Sequence, residues 1–275
     1  MTLTAIRPRK TPTPRVKVAT EARVFTVWGP SGATGKSTIA LNLAYEFALL
    51  GQRTILLDLD SYSPSLNQLL PIQESTAGIA GAARLIRQGR FSPEELERLS
   101  INIKHARTQF RVLPGLPNPN RWSELTPETV QQLLATCSQN FDVIVIDIAS
   151  NLEDSLTRPD SPTTRNCLAR TAIKLATKSI TVLAPSQLSF SRYLNAFATL
   201  DELQKTRTLI LNGDTPSQQL ANAIRTLTKE RVEVQIPSDE PVLQLAESQR
   251  LPLALARRKS AARNAIAALA HKLLA

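Results

Sequence analysis

The residues best suited to chemistry lie in the segment 29–38, which reads Gly-Pro-Ser-Gly-Ala-Thr-Gly-Lys-Ser-Thr. In a loop of this kind, successive backbone N–H groups and the start of a following helix can surround phosphate oxygens. Lys36 would contact the terminal phosphates, and the Ser37 hydroxyl would bind Mg²⁺. The general pattern GxxxxGK[ST] requires glycine where this chain has Pro30. An ordinary glycine-rich turn with an exposed lysine is therefore the alternative interpretation.

Aspartates at the ends of apolar segments are the second group of candidates. Asp58 lies near the end of the segment Thr54–Leu59, and Asp60 directly follows that segment. The two-residue period of a strand directs both side chains to one face. Asp147 ends a Val-Ile-Val-Ile run and matches the Walker B form, in which a carboxylate binds Mg²⁺ through water. Solvated strand-end carboxylates without a catalytic role are the alternative for the pair at 58 and 60.

A parallel sheet is needed to bring these segments together. Apolar runs predict strands at Val24–Trp28, Thr54–Leu59, Phe110–Pro114, Asp142–Asp147, Ser179–Leu183, Thr208–Asn212 and Val232–Ile236. Helical periodicity predicts helices at Ser37–Leu50, Gly78–Gln88, Pro93–Leu99, Pro127–Ser138, Asn166–Thr177, Arg192–Gln204, Gln218–Lys229 and Val242–Gln249, and from about Lys259 to the end. The alternation predicts an α/β fold, a mostly parallel central sheet with helices on both faces.

Composition limits the classes of protein. With 275 residues, of which 42% are hydrophobic, the chain can bury a core, and we expect one domain over residues 23–275. The net charge of +10 is concentrated at the ends: residues 1–22 carry five basic side chains and one acid, and residues 251–275 carry five basic side chains and no acid. We interpret residues 1–22 as a disordered basic arm. Without a long apolar run or a secretory signal, we expect a cytoplasmic protein.

The frame Ser31–Thr38 resembles the deviant Walker loop of the MinD/ParA superfamily of P-loop NTPases, Lys-Gly-Gly-x-Gly-Lys-[Ser/Thr]-Thr. Ser31 stands at the signature lysine, and Ala33 stands at the second glycine. The resemblance implies that ATP with Mg²⁺ is bound by Gly32, Ala33, Thr34, Gly35, Lys36, Ser37 and Thr38. In the family, the signature lysine reaches the partner's phosphates across a nucleotide-sandwiched homodimer. Its absence leaves dimer-activated hydrolysis open.

The resemblance also implies roles for residues at other strand ends. Lys36 and Asp60 would be catalytic, with Asp60 positioning or activating the attacking water, and Ser37, Asp60 and Asp147 would form the metal site. Asn212 would hydrogen-bond the adenine, and the segment Pro237–Asp239 would pack on the base. Turn formation explains the Asn-Gly and Pro-Ser-Asp sequences about equally well.

The stretch from Arg121-Trp122 through the helix beginning at Arg165-Asn166 resembles actinobacterial CpaE/TadZ-type proteins associated with Flp pili or septum placement. The first hypothesis is accordingly a weak ATPase that acts as a spatial organiser through nucleotide-dependent self-association and recruits a protein of a pilus, septum or partition system. A scaffold without turnover is the second. A partition ATPase that holds DNA nonspecifically through its basic ends is the third.

Two further alternatives concern the C-terminal helix and the cysteines. The helix could lie on a membrane surface or at a cell pole as a peripheral contact, or it could cover the sheet, and its alanine-rich face favours covering. A redox or metabolic enzyme on the same scaffold is disfavoured because Cys137 and Cys167 are predicted within helices and lack CxxC spacing.

Overall fold

The computed structural model describes residues 21–73, 77–153, 164–214 and 218–275. The basic arm predicted for residues 1–22 lies almost wholly outside this part of the chain. The sequence also predicts a long polar loop over Ile148–Arg165, and residues 154–163 of it lie outside the described ranges. Eight strands are present in the described residues: β1 (Arg23–Trp28), β2 (Thr54–Leu59), β3 (Ile101–His105), β4 (Thr108–Leu113), β5 (Val143–Ile148), β6 (Lys178–Leu183), β7 (Arg207–Asn212) and β8 (Val232–Ile236).

All eight strands join one sheet in the order β3-β4-β2-β5-β1-β6-β7-β8. Every neighbouring pair is parallel except β3–β4, which is an antiparallel hairpin at the edge. The predicted mostly parallel sheet is confirmed. The sequence prediction missed β3, because its alternation of Ile101 and Ile103 with polar residues over five positions is too short to distinguish from a loop.

Helices flank the sheet on both sides. They are α1 (Lys36–Leu49), α2 (Leu66–Leu69), α3 (Gly78–Arg87), α4 (Pro93–Leu99), α5 (Pro127–Asn140), α6 (Cys167–Leu175), α7 (Gln187–Leu203), α8 (Gln218–Thr228), α9 (Glu240–Gln249), α10 (Leu253–Ala256) and α11 (Ala261–Leu274), with a 3₁₀ helix at Pro119–Glu124. Helix α7 begins five positions before the predicted start, because the Ser186 hydroxyl accepts a hydrogen bond from the Ser189 N–H and caps it there.

Alternate strand residues enter two separate cores, as the two-residue period requires. On β1, Phe25 and Val27 contact the core that contains α1 and α11, whereas Val24 and Trp28 contact the core that contains α3, α5 and α6. Both faces of the central strands are therefore apolar and covered. Among the polar side chains of these strands, Asp58 and Asp147 lie near the carboxyl edge of the sheet, and the Thr26 and Ser179 hydroxyls hydrogen-bond to each other at 2.9 Å.

Helix α11 covers the sheet, as its composition favours. Its apolar side chains Ala262, Ile266, Leu269, Ala270 and Leu273 are buried, and the helix packs on α1 and β8. The Arg263 guanidinium binds the buried Glu46 carboxylate of α1 at 2.7 Å. The apolar face is thus occupied within the fold and is not presented to a membrane. Among the described residues, no helix is both long and apolar enough to span a bilayer.

Candidate functional site

The phosphate loop joins the end of β1 to the start of α1. Gly35 is the N-cap of α1 with φ of 79°, a left-handed conformation that glycine adopts without steric cost. A Cβ at this position would lie 2.3 Å from Nδ2 of Asn212, so the close approach of Asn212 also requires glycine. Because Gly35 has no side chain to cap the helix, the first N–H groups of α1 remain open to an anion.

Two of the predicted carboxylates lie side by side on neighbouring strands. The β2–β5 register pairs Asp58 with Asp147, and both side chains point to the α1 side of the sheet. Asp58 and Asp147 are 1% and 0% exposed, so neither is a solvated strand-end carboxylate. Asp60, two positions after Asp58, is also buried. The structure therefore brings the three aspartates together beneath the phosphate loop.

Lys36 is the cation of this cluster. Its Nζ atom lies 2.8 Å from Oδ2 of Asp60 and 3.9 Å from Oδ1 of Asp147. Burial lowers the pKa of Lys36, but the charges of Asp147 and Asp60 outweigh burial and raise it above its usual value. Lys36 is therefore a fixed positive charge at the entrance of α1. The predicted lysine and two of the predicted aspartates form one ion-pair network.

Asp147 is the least satisfied of the carboxylates. Burial raises its pKa, and the positive charge of Lys36 opposes that rise. By distance and angle, neither of its oxygens has a hydrogen-bond partner within the described ranges. Burial and the charge of Asp147 likewise raise the pKa of Asp58, although Asp58 accepts bonds from the N–H groups of Ser65 and Leu66. Asp60 and Asp147 therefore ionise before Asp58, and together they outnumber the one ammonium group.

This excess of negative charge suits a divalent cation. Mg²⁺ prefers oxygen ligands and usually retains several waters, so Ser37, Asp147 and phosphate oxygens would complete its coordination. No cluster of three histidine, cysteine or acidic side chains able to hold a metal ion by itself occurs in the part of the chain that the structure describes. The residues present thus fit Mg²⁺ bound together with phosphate, but not a metal site made of protein ligands alone.

Asp60 organises the loop that follows β2. Its Oδ1 accepts hydrogen bonds from the N–H groups of Tyr62 and Ser63, both at 2.9 Å. Burial acts to raise the pKa of Asp60, but the charge of Lys36 and its hydrogen bond lower it below the usual value. Asp60 is therefore ionised near neutral pH and holds the loop against the phosphate loop. Between the two loops lies a cavity of about 430 Å³.

The structure separates the predicted base-binding residues. The Asn212 amide donates to the Thr34 carbonyl at 3.0 Å and so supports the phosphate loop directly. Pro237 and Asp239 follow β8, two strands beyond β6, and neither lines the cavity. The Asp239 carboxylate accepts a hydrogen bond from the Ser260 hydroxyl, the cap of α11. Asn212 is thus part of the loop's surroundings, whereas Asp239 serves the C-terminal helix here.

Three features of the site were missed from the sequence. Tyr62 lines the cavity, and its ring lies 3.9 Å beneath the Arg165 guanidinium. Ser150 lines the cavity after β5, and its carbonyl accepts a bond from the indole N–H of Trp28. Arg192 of α7 donates to the Ser31 carbonyl at 2.7 Å. No sequence motif marks these side chains: Tyr62 and Ser150 follow Asp60 and Asp147 by two and three positions, whereas Arg192 comes from a segment remote in sequence.

The cysteines do not join this site. Cys137 lies fully buried in α5, where burial raises the pKa of its thiol, and Cys167 begins α6 with a partly buried side chain. A buried thiol with a raised pKa is a poor metal ligand, since the thiolate is the binding form. Their predicted placement in helices is confirmed.

Comparison with known proteins agrees with the geometry of the site. Residues 25–253 match the family described as the CobQ/CobB/MinD/ParA nucleotide binding domain. An iron-sulfur cluster carrier protein of Aquifex aeolicus is 29% identical over 142 residues, which are 51% of this chain and 36% of that protein. In each of three curated relatives, the matched stretch covers less than half of that relative's length.

Solved structures share the fold along most of the chain. A ParA family ATPase from Chlorobium tepidum superimposes with a TM-score of 0.78 at 18% identity, covering 91% of this chain and 98% of that one. The septum site-determining protein MinD of Pyrococcus horikoshii, solved with Mg-ADP, gives 0.70 at 17% identity, covering 92% and 96%. At these identities the likeness concerns the fold alone. Because the family match covers residues 25–253 of this chain, the chain belongs to the CobQ/CobB/MinD/ParA nucleotide-binding family.

Proposed function

We propose that this protein binds Mg·ATP, hydrolyses it slowly, and uses the bound nucleotide to control its self-association and the recruitment of a partner. The observation that carries the proposal is the network of Lys36, Asp60 and Asp147 directly beneath a phosphate loop. A half-buried lysine between two carboxylates is ready to exchange one of them for a phosphate. The family match supports nucleotide binding.

Each charged group has a distinct task in this proposal. The N–H groups of residues 32–38 and the N-terminus of α1 face the phosphates, and Ser37 with Asp147 holds Mg²⁺, which supplies charge neutralisation. Lys36 leaves Asp60 for a phosphate oxygen. Asp60, freed of its cation, is then available to orient a water, which is the main protein contribution to phosphoryl transfer.

The same exchange supplies a switch. In the structure, Asp60 binds Lys36 with one oxygen and accepts hydrogen bonds from the Tyr62 and Ser63 N–H groups with the other. Removing Lys36 from Asp60 changes the electrostatic balance that holds the loop at 60–66. We infer that this loop reports the presence of the terminal phosphate to the surface, where a second copy of the chain or a partner protein would bind.

The base would lie along the carboxyl edge of the sheet. Strands in a sheet are spaced about 4.8 Å apart, so the ends of β7 and β8 lie about 10 and 14 Å from β1. Asn212 and Pro237 are within the length of a nucleotide at those distances. The proposal for Asp239 has less support, since Ser260 already occupies its carboxylate.

Ser31 favours a second candidate function, a nucleotide-binding scaffold without turnover. The side chain at the signature-lysine position is a short hydroxyl, which cannot reach the phosphates of a partner subunit. The role in a pilus, septum or partition system rests on the CpaE/TadZ-like segments and is part of the proposal. Phosphate release separates the two candidates.

The test is equilibrium ATP binding and steady-state phosphate release with Mg²⁺, together with size exclusion in ATP and in ADP. Lys36→Ala should abolish binding, and Asp60→Ala should bind ATP without turnover. Lys174→Ala is the matched control, since Lys174 is exposed on α6 away from the loop. Lys36→Ala that binds ATP like the wild type would contradict the proposal. Binding without turnover in the wild type would select the scaffold.

A further inference from the structure

Arg192 lies at the outer rim of the phosphate loop. Its Nη1 atom donates to the Ser31 carbonyl at 2.7 Å, although the two residues are 161 positions apart. Within the described ranges, no carboxylate pairs with this guanidinium. A full positive charge therefore contacts the loop at the residue where the family's signature lysine is missing, and its only bonded partner there is a neutral carbonyl.

The loop is shaped to admit this side chain. A Cβ on Gly32 would lie 2.6 Å from Nη1 of Arg192, so a glycine at this position leaves the space that the guanidinium uses. The cavity inside the loop and a second cavity of about 220 Å³, lined by Arg192, share Pro30, Ser31, Ser150 and Asn151 as a common wall. Arg192 thus lies beside the phosphate loop, in a cavity that adjoins the one lined by the loop.

The backbone of Arg192 is firmly held. The next residue, Tyr193, is fully buried, and its ring lies 6.4 Å from Trp28 and 5.8 Å from Phe197. Trp28 is the last residue of β1, immediately before the loop. Packing of Tyr193 therefore fixes α7 against the strand that carries the loop, and the half-buried Arg192 side chain reaches the loop through one hydrogen bond.

Hydrogen bonds between a guanidinium and a phosphate are charge-assisted and commonly bidentate, and they are roughly twice as strong as bonds to a neutral carbonyl. We propose that Arg192 contacts the terminal phosphate of the nucleotide bound to its own chain and so places a second cation, besides Lys36, at that phosphate. This inference rests on the proposed function, because it requires Mg·ATP in the loop.

The experiment measures the affinities of a fluorescent ATP analogue and the matching ADP analogue, both with Mg²⁺. Arg192→Ala should weaken the ATP analogue about tenfold, which is the loss of one charge-assisted contact, and the ADP analogue by less than about twofold. The affinity of Arg192→Lys for the ATP analogue should fall between those of the wild type and Arg192→Ala, because an ammonium group lacks the planar, forked donors of a guanidinium. Lys205→Ala, an exposed charge just after the far end of α7, should change neither affinity.

A second variant separates a contact within the chain from one across a dimer. Adding Ser31→Lys to Arg192→Ala supplies the cation that reaches a partner's phosphates, so it should restore the preference for ATP over ADP only at protein concentrations where dimers form. Equal behaviour of Arg192→Ala and Lys205→Ala would overturn the inference, as would equal losses for ATP and ADP. An effect of Arg192→Ala that appears only at protein concentrations where dimers form would also overturn it, because the contact would then cross to a partner's nucleotide.

Failure of this inference differs from failure of the proposed function. If the wild type binds no Mg·ATP, or if Lys36→Ala binds it normally, the proposed function is wrong. If Lys36→Ala loses binding and Arg192→Ala retains both affinities, only the role of Arg192 is wrong. Melting temperatures within about 2 °C of the wild type would show that each variant is folded, since a surface change is expected to cost little.

Discussion

The buried carboxylate of Asp147 provides the sharpest test of the cation site. It is fully buried, has no hydrogen-bond partner among the described residues, and lies opposite Asp58 in the sheet. An unsatisfied buried polar group costs about 1–3 kcal/mol, and more when charged. Asparagine removes the charge but keeps an unsatisfied amide. Asp147→Asn should therefore raise the free energy of unfolding of the nucleotide-free protein by about 1–2 kcal/mol.

Thermal unfolding measures this gain. For a protein of this size, 1 kcal/mol corresponds to about 2–4 °C, so the melting temperature should rise by about 2–8 °C. The gain should depend on pH, because burial raises the pKa of Asp147 in the folded protein. The free energy of unfolding of the wild type therefore falls as the pH rises above about 3.9, the pKa of an aspartate in the unfolded chain. The advantage of Asp147→Asn should be complete at pH 8 and disappear near pH 4.

Asp60→Asn is the matched control, with the opposite sign. Asp60 accepts bonds from Lys36, Tyr62 and Ser63, so its substitution breaks a satisfied, largely buried ion pair and should cost about 3 kcal/mol. Destabilisation by both variants would refute the interpretation that Asp147 is unsatisfied in the free protein.

Ligand-induced stabilisation gives the second readout. Mg·ATP at 100 times its dissociation constant should stabilise the wild type by about 2.7 kcal/mol. Asp147→Asn should lose most of that increase, because its amide is a poorer ligand for the cation's waters. A variant that gains stability without nucleotide and still responds fully to Mg·ATP would show that Asp147 does not hold the cation.

Three further predictions concern the loop, the C-terminal helix and the basic tail. Gly35→Ala combines a left-handed φ with a contact to Asn212 and should cost about 1–3 kcal/mol and most ATP affinity, measured by melting and titration. Arg263→Ala leaves Glu46 buried without its cation and should cost about 3 kcal/mol in denaturant unfolding, whereas a double substitution with Glu46→Leu should cost less. Residues 257–259 are exposed and form no ion pair with any described residue. Neutralising them should make the slope of log binding constant against log salt concentration, measured with random duplex DNA, shallower by up to about 2.7. An unchanged slope would exclude this tail as a DNA contact.

Much of the fold was predictable because its determinants are local. The apolar runs of β1, β2 and β5 are long enough to specify buried strands, and the loop between β1 and α1 is continuous in sequence. Edge elements were harder to predict. The β3–β4 hairpin has one side chain in two facing the core, and its turn at Ala106 has φ of 50°, which is uncommon for a residue other than glycine.

The candidate site shows the same difference between residues predicted from local pattern and contacts made between remote segments. Lys36 and Ser37 were predicted from their place after the glycines, and Asp60 and Asp147 from the ends of apolar runs. The Lys36–Asp60 ion pair spans 24 residues and follows from parallel strands ending at one edge. The 3.0 Å bond between Asn212 and Thr34 spans 178 residues. No sequence pattern indicated that the Asn212 amide would hydrogen-bond to the phosphate loop.

The amino-acid sequence alone predicts an α/β protein with a phosphate loop and acidic strand ends, since strand period, helix period and loop composition act between neighbouring residues. Tertiary packing was needed to show that Asp60 accepts hydrogen bonds whereas Asp147 does not, that Arg263 of α11 binds Glu46, and that Arg192 contacts Ser31. These properties depend on distances of about 3 Å between segments remote in sequence, and packing of the two cores sets those distances.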